Sequence, residues 1–418
     1  MAPAGQAAPD HEALGHRARR LFDRYIRHRR REPSPRLLYL PGMPTILEIG
    51  RWLYWWMLTA GRIERQYGIS RWQQLRETWH LTWAERIQAQ LYYMYELYLP
   101  AEKARIGAYF TRRETKNGLI RALNWVTRQG QGRQTDFGDK AGFVALLGSH
   151  SLPTTPILFT RDERSGEPLI APAEAFECDL FVKDRYGKGA QGATLIRHVG
   201  PGQFHYHGQL VSHAQLLADL ETRSHRTSII VVARQFNHPE LADLAERSLI
   251  TFRVFTCLDE SGTPAVAWAM MRILGKLEPT WKSKIEWGSA IDLDSGRLGL
   301  LVSDMPQTDN GRYTHHPVND APVAGRVVPC WAEVCRVATT GHRIAKDRLL
   351  IGWDIAVTPN GPVILEANGV PDFVFPQRVH QLPAGETAFG ALIALRLEEL
   401  EREIDRLPPE QRKKSSRK

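Results

Sequence analysis

Residues 351–368 read IGWDIAVTPNGPVILEAN, and no other segment constrains the fold as tightly. Two apolar runs flank TPNGP, whose prolines and Asn-Gly favour a turn, so a hairpin is expected. If Val357 faces Val363 across a five-residue connection, Asp354 lies directly opposite Glu366. Side chains alternate along a strand, so Asn368 shares their face, while Trp353, Ile355, Leu365 and Ala367 form the core-facing side. Two carboxylates opposed on a sheet repel each other. The arrangement persists when one holds a proton or a cation bridges them. Carboxylates joined by an amide oxygen, with no His or Cys nearby, suit Mg²⁺ rather than zinc. A two-residue Asn-Gly turn would instead slip the register and send Asp354 into an ordinary salt bridge.

The texture of the chain changes near 129–139, where Gly130, Gly132 and Gly138 mark a boundary. Before it, from about 45 to 110, apolar residues recur at three and four, and six of the twelve tryptophans fall there: Trp52, Trp55, Trp56, Trp72, Trp79 and Trp83. This pattern predicts packed helices. A membrane-surface or protein-docking face is the alternative use of Trp and Tyr flanked by Arg. After the boundary, short β-rich runs predict strands at 179–183, 193–197, 228–233, 249–257, 264–273, 351–357 and 363–367. Helices are expected over 139–148, 212–224, 331–345 and 386–406. Strands joined mainly by hairpins, with a few helices, indicate an α+β class.

Residues 187–192 read GKGAQG, a literal GxGxxG. A dinucleotide fingerprint would open a helix, whereas these glycines lead into ATLIRHV, a strand. No GK[ST] closes the run, so a Walker A loop is excluded as well. Asp136-Phe137-Gly138 spells a kinase-like DFG, but it precedes the glycine loop and no HRD occurs. A strand–glycine loop–strand remains, with Lys183 ending the strand before it. Such a loop brings backbone N–H groups close to phosphates. The segment alone fits a surface hairpin with a solvated lysine equally well.

Bulk properties narrow the class further. The chain has 418 residues, enough for two or three packed units, and its 43% apolar and 24% charged content is that of a soluble globular protein. The net charge of +9 concentrates at the ends: residues 1–36 hold nine Arg against four acids, and 411–418 read QRKKSSRK. Solvated tails are the expected reading, and no specific nucleic acid partner is expected. Cys178, Cys257, Cys330 and Cys335 form no CxxC pair, which argues against a zinc site or disulfide scaffold and for a reducing, cytoplasmic setting. Cys330 and Cys335 are expected in the core. His205, His207, His315 and His316 lack a convergent third ligand. No secretory leader and no transmembrane helix are expected.

The order of these parts resembles the ATP-grasp superfamily, and within it the sugar-transfer-associated group related to α-L-glutamate ligase-like enzymes. The residues that carry the resemblance are Lys140 in DKAGFVALLGSHSLPTTP, Lys183 with its glycine loop, Arg253 in TFRVFT, and the D…ExN hairpin behind IGWD. It runs from about 136 to 395, and YYMYELYLPAEKARIGAYF looks like that group's helical N-terminal segment. The resemblance implies two α+β lobes gripping ATP, after a helical N-terminal region. The expected divisions are a basic arm at 1–35, a helical region at 36–128, a small lobe with the glycine lid at 136–235, a large lobe with the metal hairpin at 236–406, and a basic tail at 407–418.

The same resemblance implies roles for individual residues. Lys140 and Lys183 would contact ATP phosphates under a lid of Gly187, Gly189 and Gly192, and Val232, Arg234 and Gln235 would border the adenine pocket. Asp354, Glu366 and Asn368 would hold Mg²⁺, with Mn²⁺ as a substitute, and Arg253 and Arg272 would steady the transferred phosphoryl group. An arginine in an apolar β run needs an anionic partner in any case. Relatives place an Asn before a glycine pair ahead of the hairpin, whereas this chain reads WKSKIEWGSAIDL, so Lys284 stands near that Asn and only Gly288 is present. The implied activity is ADP-forming ligation of a small-molecule carboxylate and amine through an acyl phosphate. The alternatives are an ATP-dependent phosphotransferase and a non-catalytic nucleotide-binding scaffold. Neither substrates nor oligomeric state can be read from the sequence.

Overall fold

The computed structural model describes residues 43–83, 87–112, 115, 120–127, 135–161, 166, 168–187, 193–245, 248–274 and 285–406. The basic arm, the basic tail, Gly189, Gly192 and Lys284 lie outside the described residues.

Two seven-stranded sheets organise the chain. The first contains β1 (Ile157–Arg161), β2 (Pro168–Ile170), β3 (Leu180–Asp184), β4 (Thr194–Gly200), β5 (Gln203–Tyr206), β6 (Gln209–Ser212) and β7 (Ile229–Ala233), in the order β2-β1-β7-β3-β4-β5-β6. The second contains β8 (Thr251–Leu258), β9 (Pro264–Leu274), β10 (Glu286–Ile291), β11 (Leu298–Ser303), β12 (Arg312–Tyr313), β13 (Leu350–Thr358) and β14 (Gly361–Asn368), in the order β12-β11-β10-β9-β8-β13-β14. Neighbouring strands in both sheets run antiparallel.

In the first sheet, Leu180, Val182, Ile229 and Val231 alternate onto a core closed by Leu216 and Leu220 of helix His213–Ser224. That helix begins with a capping box, in which Ser212 and Gln215 satisfy each other's backbone N–H groups. The second sheet is covered on both faces. Trp353, Ile355 and Val357 pack with Val334, Val337 and Ala338 of helix Trp331–Ile344. On the opposite face Phe255, Cys257 and Leu350 meet Phe373, Phe389 and Ile393. Double coverage explains why every residue of β13 is buried. The sheets are stitched together at β14 and β13: Ile364 donates its N–H to the Pro153 carbonyl at 2.9 Å, and His238 donates to the Val357 carbonyl at 2.8 Å.

The tryptophan-rich segment folds as helices Met43–Tyr67 and Arg71–Trp83. Trp52 is buried and donates to Thr78 Oγ1 at 2.9 Å, whereas Trp72 and Met57 are each 73% exposed. No helix among the described residues is long and apolar enough to cross a membrane. The following segment is bound tightly to the second sheet. Arg378, buried, donates to the carbonyls of Ser303 and Met94 and to Asn310 Oδ1. Gln377 joins Phe110 and Tyr95, and Arg105 pairs with Glu386.

Three sequence expectations change here. The hairpin turn is Pro359-Asn360 between paired Thr358 and Gly361, so Val357 faces Pro362 and Ala356 faces Val363. Ile364, not Leu365, joins the core with Trp353, Ile355 and Ala367. Cys330 is exposed, in a left-handed backbone conformation (φ 54°) at the start of helix Trp331–Ile344.

Candidate active site

The short turn would by itself have put Asp354 out of step with Glu366. A β-bulge restores the match: Ile355 pairs with Ile364, yet Asp354 pairs with Glu366, leaving Leu365 as the extra residue. Asn368 pairs with Gly352, so it lies on the same face as the two carboxylates. The opposition expected from the sequence therefore exists, but it depends on a turn and a bulge that offset each other.

Asp354 also neighbours Arg253 across β8. Arg253 Nε donates to Oδ1 at 2.5 Å and Nη2 to Oδ2 at 2.9 Å, while Arg272 Nη1 reaches Oδ1 at 3.3 Å. Arg272 is completed by an ion pair with Glu286. Burial alone would raise the Asp354 carboxyl, but the two guanidinium groups outweigh it and hold it below the usual carboxylate range. Burial likewise opposes the charge on Arg272, and Glu286 and Asp354 overcome it. The anionic partners expected of both arginines are thus protein carboxylates. Gly352 is needed beside them, since a Cβ there would lie 2.8 Å from Pro371.

Lys183, on β3, projects from the other sheet. Burial lowers its ammonium pKa, Glu366 pulls it back up, and Lys140 lowers it again. Among the described residues, Lys183, Glu366 and Asn368 form no side-chain hydrogen bond or ion pair. Polar groups held at a sheet-to-sheet seam without partners have capacity left for a ligand. Lys140 is committed differently. It begins helix Lys140–Gly148, and its ammonium donates to the carbonyls of Asp184, at 3.2 Å, and Gly187. It braces the root of the glycine loop, where a Cβ on Gly187 would lie 2.8 Å from Asp184 Cβ. Asp139, which caps that helix, holds Arg185 from the same root at 2.6 Å. Val232 packs with Ala141 and Ile230. Arg234 pairs with Asp179 at 2.9 Å, and Gln235 donates to the Ala233 carbonyl.

The donor set fits Mg²⁺. Glu366 and Asn368 supply uncommitted oxygens, and Asp354 Oδ2 accepts one hydrogen bond only. Among the described residues, no group of three His, Cys, Asp or Glu is placed to hold a metal ion.

Sequence reasoning missed the cavity on the other side of the two arginines. It measures about 190 Å³ and is lined by Gln90, Arg112, Arg253, Arg272, Glu286, Asp304 and Asp372, together with apolar residues that include Met94 and Phe375. Burial and the nearby Glu286 charge push the Asp304 carboxyl up to about 6. Of its lining, Arg253 and Arg272 are read from the sequence, and Asp372 follows Asn368 by four residues.

Two antiparallel sheets, one carrying Lys183 and the other the acidic hairpin, fit an ATP-grasp fold. The sugar-transfer associated ATP-grasp family matches residues 135–392, most of the chain, and this protein belongs to it. Three solved structures are similar at lower resemblance. The ATP-grasp ligase PsnB, solved with a phosphomimetic variant of its minimal precursor, Mg and ADP, is 15% identical over 63% of this chain and 59% of its own, with a TM-score of 0.33. D-alanine-D-alanine ligase from Coxiella burnetii is 12% identical over 64% and 59%, with a TM-score of 0.35. D-alanyl-alanine synthetase A from Vibrio cholerae O1 biovar eltor is 13% identical over 63% and 65%, with a TM-score of 0.37. The chain spans about three fifths of the length of these solved proteins. None of the curated proteins matches it. The family assignment rests on the sequence match.

Proposed function

We propose that this protein is an ATP- and Mg²⁺-dependent, ADP-forming ligase that activates a carboxylate as an acyl phosphate and condenses it with an amine. The observation that carries the reading is the contrast in commitment at the seam. Arg253 and Arg272 are held in place by carboxylates, whereas Lys183, Glu366 and Asn368 form no side-chain hydrogen bond or ion pair among the described residues.

In this reading Lys183 binds the ATP phosphates, with the backbone of the Gly187–Gly192 loop above them and Lys140 bracing that loop. Val232, Arg234 and Gln235 border the adenine. Asp354, Glu366 and Asn368 would hold Mg²⁺, which when bound offsets the charge on the β- and γ-phosphates. A substrate carboxylate oxygen attacks the γ-phosphorus and ADP leaves. Arg253 and Arg272 stabilise the charge that develops on the transferred group. The amine then attacks the acyl carbon, the carbon–oxygen bond to phosphate breaks, and the amine proton is lost to solvent. No enzyme nucleophile takes part. A cytoplasmic setting, where ATP is available, belongs to the same proposal.

The test is an ADP-release screen of the purified protein with candidate carboxylates, with and without amines, followed by mass spectrometry. A product whose mass equals acid plus amine minus water supports the ligase reading. ADP release giving only a phosphorylated acceptor identifies a phosphotransferase instead. An absence of ATP turnover with every pair would leave only a nucleotide-binding scaffold.

A further inference from the structure

The cavity behind Arg253 and Arg272 joins parts of the chain far apart in sequence. Gln90 and Met94 come from helix Ala89–Met94, Arg112 from the segment after it, Arg253 and Arg272 from β8 and β9, and Glu286 from β10. The helical region is therefore one wall of the cavity rather than an appendage. Buried hydrogen bonds fix that wall: Gln377 Nε2 donates to Tyr95 Oη at 2.9 Å and to the Phe110 carbonyl at 2.8 Å, and Arg378 donates to the Met94 carbonyl at 3.1 Å.

The charges lining the cavity balance, three arginines against three carboxylates, but they are not all paired. Arg112 holds Asp372 at 2.5 Å, and Arg272 holds Glu286. Asp304 pairs with no cation among the described residues; its carboxylate accepts the Glu286 N–H at 2.9 Å. The Arg272 charge acts on it only from beyond ion-pair distance, so a carboxylate on the cavity wall keeps room for an ammonium. Arg112, whose side chain is 58% exposed, still has donors beyond the one that reaches Asp372. At about 190 Å³ the space falls below the roughly 300 Å³ at which pockets for drug-sized ligands begin.

We propose that this cavity binds a small zwitterion of the amino-acid type, its ammonium on Asp304 and its carboxylate toward Arg112, with the helical region supplying the selective wall. The proposal rests on the ligase reading, in that it makes this molecule the amine substrate. It places the amine beside the two arginines that also touch Asp354; once the ammonium has given one proton to the Asp304 carboxylate, the free amine is the nucleophile next to the activated acyl group. Gln90 and Arg112 are specificity residues in this arrangement, outside the ATP-binding machinery.

The experiment compares individual amino acids with their decarboxylated amines, using full-length protein. Binding is measured by calorimetry in the presence of a non-hydrolysable ATP analogue, and ADP release is measured with ATP. The expected result is binding of at least one amino acid and no binding of its decarboxylated amine. Arg112→Ala should raise the KM for that amino acid by about tenfold or more while the KM for ATP stays within about twofold; Arg112→Lys should recover part of the loss. Asp304→Asn should weaken the amino acid similarly. Equal binding of amino acid and amine, or an unchanged KM in Arg112→Ala, overturns the proposal. Arg112-dependent binding with no condensed product would leave the cavity assignment standing and defeat the ligase reading. Condensation of an amine that is indifferent to Arg112 would do the reverse.

Discussion

Arg253 grips Asp354 from the adjacent strand with two hydrogen bonds, at 2.5 and 2.9 Å, and the aspartate is itself the partner of Glu366 on the next strand over. One carboxylate thus links the arginine pair to the acidic hairpin. Asp354→Asn removes the charge while keeping the shape. ADP release should fall by about a hundredfold or more, the scale seen when one preorganised electrostatic contact is lost. Asp354→Ala goes further, because it also removes the acceptor oxygen that Asn keeps for the two guanidinium groups. Breaking a buried pair costs about 3–5 kcal/mol, so its melting temperature should drop well below that of the Asn variant. ADP-release assays with thermal denaturation on both variants check this, and full turnover in Asp354→Asn would refute the metal role of the hairpin.

Glu366 and Asn368 have no partner among the described residues, so removing one does not break a structural bond. Glu366→Gln removes the charge that favours the buried Lys183 ammonium, so the melting temperature without metal should fall, but by no more than a few degrees. The same change should increase the Mg²⁺ concentration needed for half-maximal ADP release by about tenfold or more, because one charged donor becomes neutral. A chelator should abolish turnover in the parent, and Mg²⁺ should restore it. Titration of Mg²⁺ at saturating ATP measures both effects; an unchanged requirement in Glu366→Gln removes the residue from the site.

Much of this arrangement is legible in the sequence. Strand alternation along TFRVFT and IGWDIAV is local, and the two runs form β8 and β13 close to their expected bounds. The hairpin register was legible only in its outcome, since period-two alternation carries no sign of a bulge at Leu365. Strands with weaker patterns are not legible: β5 and β6 have four residues each, β11 carries Gly299, and β10 carries Gly288 and Ser289 in place of β-branched residues. The cavity was invisible because its lining comes from residues as distant as Gln90 and Asp372, and no local pattern records such a meeting.

Gly341 shows how helix packing reaches the site. It lies on helix Trp331–Ile344, where an added Cβ would come 2.6 Å from the Trp353 ring. Trp353 is fully buried, precedes Asp354, and donates to Thr256 Oγ1 at 2.7 Å, so it cannot move freely. Gly341→Ala gains about 1 kcal/mol of helix propensity. Overpacking costs typically about 1–3 kcal/mol, and here the obstacle is a rigid ring, so a net loss is expected. Chemical denaturation should show a lower midpoint, with turnover reduced through a displaced β13. A midpoint above the parent's would mean that the ring yields without cost.

Acid should destabilise the fold chiefly through two histidines. His342 is fully buried; Thr256 lies 2.7 Å from its Nδ1 and the Arg348 carbonyl 2.9 Å from its Nε2. The carbonyl can only accept, so Nε2 carries the proton. Thr256, which already accepts from Trp353, donates to Nδ1. Burial therefore lowers His342 to about 4, and burial also lowers His380 to about 4. From the usual value near 6.5 down to about 4, the unfolded chain binds two protons that the folded one does not, so stability falls as pH falls through this window. For His342 the contribution lost is about 3 kcal/mol. Asp304 acts in the opposite sense: raised to about 6, it holds a proton in the folded state that the unfolded carboxyl has released, so its contribution is complete below about 3.8 and is lost as pH rises through 6. Between pH 4 and 6 the parent should thus gain stability with rising pH at a slope near one net proton, and Asp304→Asn should steepen it toward two. Urea midpoints across that range measure the slope. By the same count, a parent stability that stays flat from pH 6 to 4 would leave only one histidine held neutral, and one that rises as pH falls would leave neither.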